Sequence, residues 1–158
     1  MKKKILSILL ILAALCTLLY SCFGKVDSEG NVTVVIENRD GTYTEYVLAL
    51  EELENKDEGV TGLVEQLAKR EENPLSLDMQ ESTYGKFINA IGSLTPDAAA
   101  GEYISVYTSV EADFDVSTYV NETSYKDTLL KTSGLGISSM SVPAGAIILF
   151  RVEAYTGW

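Results

Sequence analysis

Near its C-terminus the chain reads Ile147-Ile148-Leu149-Phe150-Arg151-Val152, a β-favouring run that is apolar on both faces at its start. A strand that alternates cleanly can leave one face in water, but this one cannot. It predicts a strand at Ala146–Glu153 lying centrally in a sheet and covered from both sides. The rest of the chain must supply its neighbours. Val32, Val34 and Ile36 alternate with Thr33, Val35 and Glu37, which predicts a first strand. Asn38-Arg39-Asp40-Gly41 then reads as a turn, with Asp-Gly supplying the positive-φ residues of a type I′ hairpin, and Tyr43 to Leu50 returns as a second strand.

Beyond the acidic stretch Glu51 to Glu58, Val60, Leu63, Val64, Leu67 and Ala68 recur at helical spacing and make one apolar face. The helix is expected over Val60–Glu72, with Lys69 and Arg70 near its C-terminal dipole and Pro74 as its stop. Leu75, Leu77 and Met79 alternate with Ser76, Asp78 and Gln80 as a third strand. Tyr84 to Leu94 fits either a short strand or a turn, and Thr95 to Gly101 a loop. Tyr103 to Val110 alternates, with Ile104, Val106 and Val110 on one face and Tyr103, Tyr107 and Ser109 on the other. Glu111 to Met140 is polar and without a readable period, and Val142-Pro143-Ala144-Gly145 is a turn into the closing strand. This order predicts the α+β class: a β-grasp-like mixed sheet packed on one principal helix, with Leu63, Leu67, Ile148 and Phe150 in the core.

The N-terminus carries an address. Lys2, Lys3 and Lys4 precede an apolar run from Ile5 to Leu19, and Ser21 stands immediately before Cys22. The layout resembles the bacterial lipoprotein signal, which implies that Cys22 is lipidated and becomes the first residue of the mature protein. The competing reading is an uncleaved anchor helix, since the uncharged run to Gly24 approaches the roughly 20 residues that span a bilayer. Either way the remainder is expected outside the cytoplasm. The expected organisation is a signal peptide at 1–21, a short membrane tether at 22–30 and a single domain at 31–158. Extended at about 3.3 Å per residue, the segment from Phe23 to Gly30 reaches about 25–30 Å, which keeps the domain near the membrane.

Charge and residue types exclude several functions. A formal net charge of −11 repels nucleic acid and anionic headgroups, so the membrane contact is expected through lipid on Cys22. The chain has no histidine, and its cysteines are Cys16, within the signal, and Cys22. A Ser-His-Asp or Cys-His site and a zinc site of His and Cys are thereby excluded from the mature domain, and no cofactor is expected. Paired carboxylates among Glu51, Glu52 and Glu54, or Glu111, Asp113 and Asp115, leave a carboxylate-based hydrolase as a third reading. Glu111-Ala112-Asp113-Phe114-Asp115 lacks the glycine and distal glutamate of an EF-hand, and a solvated acidic loop is expected there. The aromatic residues are the stronger lead. Tyr84, Phe87, Tyr103 and Tyr107 are the candidate ligand-binding residues, expected to form a stacking surface for a planar or sugar-like ligand. Tyrosine also simply favours half-exposed strands, which is the competing explanation.

Four segments resemble the transcobalamin-like C-terminal domain, a module related to the soluble-ligand-binding β-grasp group and common in bacterial surface proteins and lipoproteins. They are Val32-Thr33-Val34-Val35-Ile36, Gly59-Val60-Thr61-Gly62-Leu63-Val64-Glu65-Gln66-Leu67, Tyr84-Gly85-Lys86-Phe87-Ile88-Asn89-Ala90-Ile91 and Val142-Pro143-Ala144-Gly145-Ala146-Ile147-Ile148-Leu149-Phe150. The chain departs from the family where a Trp and a Val-Asn-Gly segment are common, reading Gly101-Glu102-Tyr103-Ile104-Ser105-Val106-Tyr107-Thr108, and has Ala146 where an acidic residue is frequent. The resemblance implies a noncatalytic binding module whose partner is a small molecule, cobalamin-like among the possibilities, or an envelope protein. The alternative is a structural or protein-interaction domain of an envelope assembly.

Overall fold

The computed structural model describes residues 30–83 and 85–155. Cys22, the signal, most of the tether and Tyr84 lie outside the described residues. Strand β1 (Asn31–Glu37) pairs antiparallel with β2 (Tyr43–Ala49), and the single α-helix among the described residues, α1 (Gly59–Ala68), follows. Strands β3 (Leu77–Ser82) and β4 (Gly85–Ile91) make a separate two-stranded sheet. Strands β5 (Glu102–Thr108), β6 (Glu122–Tyr125), β7 (Thr128–Thr132) and β8 (Ile147–Ala154) complete a six-stranded sheet in the order β2-β1-β8-β5-β7-β6. The closing strand is central as its composition requires: β8 runs parallel to β1 on one side and antiparallel to β5 on the other. This is a β-grasp-like mixed sheet with α1 across it.

Strand alternation divides the burial between two cores. Val32, Val34, Ile36, Ile148 and Phe150 face α1, where Val60, Leu63, Val64 and Leu67 cover them, and all nine are fully buried. Val35 and Leu149 point to the other face and are buried there with Tyr107, Tyr125 and Leu130.

The segment from Glu111 to Met140, unreadable in sequence, supplies that second cover. Lys126 (φ 45°) and Asp127 (φ 64°) form a two-residue loop between β6 and β7 with both φ positive, the type I′ geometry. The hairpin is edge-paired to β5 through Tyr107↔Thr132 and Thr108↔Lys131, and it also reaches β2 at the far side of the sheet. The Tyr125 ring lies 5.0 Å from that of Tyr43, edge-on, and Lys126 Nζ lies 2.8 Å from Glu45. The same segment then serves the inner core. Ile137 and Met140 are buried against it, and Ile137 O accepts the N–H groups of Val60 (2.9 Å) and Thr61 (3.3 Å) at the start of α1. Gly59 permits this docking: its φ is +55°, and a Cβ there would stand 2.4 Å from Met140 O.

Two local expectations are corrected. The Asn38–Gly41 turn is not type I′, because only Gly41 has positive φ (80°). Gly41 N–H donates to Asn38 O (2.9 Å) and Asn38 N–H to Thr42 O (2.8 Å), a type I turn closed by a glycine bulge. Asp40 stays in the right-handed turn and accepts from Thr42 N (3.0 Å) and Oγ1 (2.6 Å). The helix ends at Ala68 and not at Glu72. Lys69 to Glu72 offer no apolar residue to extend the buried face. The chain instead turns through Asn73 (φ 50°), so that Leu75 N–H donates to Leu67 O (3.1 Å) and Leu75 is buried. Tyr84–Leu94 resolves as the strand Gly85–Ile91, stopped by Gly92 (φ 58°) beside Ile36.

Candidate functional site

On the helix side, a groove of about 300 Å³ separates β4 from β5. Its apolar lining is Phe87 and Ile88 from β4, Ile104 and Val106 from β5, and Leu135 and Ile137 from the segment after β7. Strand alternation on β5 sends Ile104 and Val106 to this side. Phe87 is 55% exposed, an unusual state for so large an apolar side chain. Lys86 is the charged residue of the lining, held 2.6 Å from Glu65 and 3.4 Å from Glu58. The hydrogen bond to Glu65, opposed in part by desolvation, holds its ammonium pKa above the ordinary value.

The aromatic residues singled out in sequence do not meet in one stacking surface. Phe87 stands at the groove, and Tyr84 lies outside the described residues. Tyr103 borders the groove as part of β5, but its ring is on the opposite face, 4.7 Å from that of Tyr155, with its hydroxyl donating to Glu153 (3.1 Å). Tyr107 is buried in the outer core at 1% exposure, its hydroxyl also donating to Glu153. Burial raises the Tyr107 phenol pKa well above its ordinary value, and the hydrogen bond to Glu153 adds to the shift. Tyr107 is thus a structural residue, with the Arg151 guanidinium 4.2 Å from its ring centroid.

That outer face opens into a second, charged cleft of about 330 Å³ bordered by Glu37, Arg39, Glu102, Arg151 and Glu153. Its charges are largely paired. Arg39 makes a two-pronged contact with Glu102 (3.0 and 2.6 Å), and its Nη2 also donates to Thr95 O (2.9 Å). Arg39, helped by the N–H of Asp97, pulls the Glu102 carboxyl down to about 2. Arg151 lies 3.6 Å from Glu37 and 3.5 Å from Glu153. The acidic stretch Glu111–Asp115 has an architectural use: Asp113 is buried and accepts from Ser141 N (2.6 Å) and Oγ (3.1 Å), while Asp115 accepts from Ser117 N (2.8 Å). Asp113 is thus committed to the Ser141 segment, whereas Glu111 and Asp115 border an open cleft with Phe114, Leu129 and Lys131.

Sequence reasoning missed Lys86, Leu135 and Ile137 at the groove. Leu135 and Ile137 sit in a Ser/Gly-rich stretch with no period to mark them. Lys86 is one cation of many, and its position follows from the pairing of β3 with β4.

No protein-family model and no curated protein matches the sequence. Among solved structures, a protein from Ruminococcus gnavus ATCC 29149 described as a candidate metal-binding protein superposes with a TM-score of 0.53 at 14% identity, over 82% of this chain and 100% of that one. Haptocorrin in complex with Cbi aligns with a TM-score of 0.47 at 11% identity, over 81% of this chain and 26% of haptocorrin. At these identities the first likeness is one of fold. The chain shares its α+β architecture with the R. gnavus protein.

Proposed function

We propose that this protein is a noncatalytic binding module, held on the outer side of a bacterial cell membrane by lipid on Cys22, that takes its ligand in the β4–β5 groove. The observation that carries the reading is the groove itself, an apolar slot with Phe87 exposed at its rim. The lysine-headed apolar run before Cys22 supports the location, and the absence of histidine supports a role in binding. The chain joins the domain at Gly30, beside Ala144 and the start of β8, whereas the groove lies toward the end of β8. A lipid-tethered domain therefore presents the groove away from its anchor.

The test is a thermal-shift panel on the full-length protein in detergent, with corrinoids, haem, sugars, divalent cations and peptides. A ligand at 100 times its Kd adds about 2.7 kcal/mol to stability. Phe87→Ala is expected to abolish the response to the true ligand without lowering the unliganded Tm, because the ring is half exposed. A panel without any response, or a response unaffected by Phe87→Ala, rejects the groove as the site. Cys22→Ser, followed by cell fractionation, tests the anchor: unchanged membrane partitioning and processing reject it.

A further inference from the structure

The backbone of β5 is open along the groove. The pairing of β5 with β8 assigns alternate residues to that ladder. Ser109 N–H donates to Ile147 O (3.0 Å) and Tyr155 N–H to Gly101 O (3.1 Å), which fixes the odd-numbered residues, Tyr103, Ser105 and Tyr107, as those bonded to β8. The even-numbered residues point their N–H and C=O groups the other way, toward β7 and the groove. There β7 pairs only as far as Tyr107↔Thr132, and Ser133 N–H donates to Val106 O (3.0 Å). Upstream, Glu102 N–H donates to Asp97 O (3.0 Å). Between these points the N–H and C=O of Ile104 and the N–H of Val106 have no hydrogen-bond partner among the described residues. Across the slot stands β4, whose strand partner is β3 alone.

We propose that the occupant of this groove is an extended, basic peptide segment that adds to the open edge of β5 as a further strand. The proposal rests on the groove being the binding site. An extended backbone is the chemistry that satisfies donors and acceptors spaced along one strand edge, and partly buried main-chain groups left without partners are costly. Alternate side chains of the added strand would enter the slot beside Ile104 and Val106, against Phe87 and Ile137, while the others lie beside Tyr103 and Ser105 on the outer face. Charge selects the class of peptide. The chain carries −11 overall, and the cation of the lining, Lys86, is already bound by Glu58 and Glu65. Two carboxylates, Glu58 and Glu65, against the one ammonium of Lys86 leave an excess of acid beside the slot, and the complementary peptide alternates apolar with basic residues.

The experiment uses the full-length, isotope-labelled protein in detergent and four acetylated, amidated nonapeptides in which lysine alternates with valine, leucine, phenylalanine or threonine. At saturation, amide exchange at Ile104 and Val106 is expected to slow at least tenfold. N-methylation of the best peptide, at either its apolar or its lysine positions, is expected to weaken binding at least tenfold for one of the two patterns. Ile104→Pro removes a groove donor that belongs to no ladder, and should abolish binding where Ile104→Val preserves it. The peptide assays on wild-type protein decide the matter if the proline variant does not fold. Peptide binding at Phe87 without protection of Ile104 and Val106, or with both N-methylated forms binding equally, overturns strand addition but leaves the groove as a site. Failure of all four peptides while a small molecule fills the groove overturns the peptide class alone. Failure of every compound overturns the groove reading as well.

Discussion

Leu149→Ala tests the least expected part of the fold, the second core on the outer face of the sheet. Leu149 is fully buried on β8, among Val35, Tyr107, Tyr125 and Leu130. Truncation of a buried leucine costs about 2–5 kcal/mol, the sum of lost transfer energy and a residual cavity. This cluster is small, and one of its walls is a hairpin able to settle inward, so the expected cost lies at about 2–4 kcal/mol. At about 3–5 °C per kcal/mol for a domain of this size, the Tm should fall by roughly 6–20 °C. Urea unfolding followed by circular dichroism measures the loss. Phe150→Ala, on the helix side of the same strand, is the reference and should cost about 3–5 kcal/mol. Lys126→Ala is the opposite control: its pair with Glu45 is largely exposed and screened by water, so the Tm should stay close to that of wild type. If Leu149→Ala loses under about 1 kcal/mol while Phe150→Ala behaves as expected, the β6–β7 hairpin does not seal the outer face.

Three further outcomes follow from single contacts. Glu102 has a carboxyl depressed to about 2 by Arg39, so its contribution is fully present above its ordinary value of 4.5 and is lost as pH falls through about 2; Glu102→Gln should therefore be less stable than wild type at pH 6, with the difference closing as pH falls toward 2, and a gap that stays constant across that range excludes the ion pair as its cause. Asp113→Ala removes the acceptor of Ser141 N and Oγ beneath the inner core, and should cost about 1.5–3 kcal/mol by chemical denaturation; a neutral result means that Asp113 does not pin the Met140 segment. Gly59→Ala places a Cβ against Met140 O at φ 55° and ψ −134°, a backbone region that glycine alone adopts readily, and should cost more than about 1 kcal/mol; a melting curve unchanged from wild type would show that α1 and the 137–140 segment are not tightly docked.

The sequence by itself determined the elements whose burial is written in a period. The apolar face of α1, the alternation of β1 and the two-sided apolar start of β8 each state which residues leave water. From these the central strand, the helix across it and the α+β class follow. What stayed hidden had no such mark. The β6–β7 hairpin consists of short, polar strands, and its turn uses Lys126 and Asp127 where Asn-Gly would have announced it. Tyr107 could be read as a ligand-facing ring because alternation gives its face but not what covers that face. Only the hairpin folding back toward β2 decides that it is buried. The groove is further from legibility still, because it is defined by where strand pairing stops. Side-chain pattern encodes which face of a strand is wet, whereas the length of a ladder depends on a partner far away in sequence. The open backbone of Ile104 and Val106 is therefore a property of the tertiary structure alone.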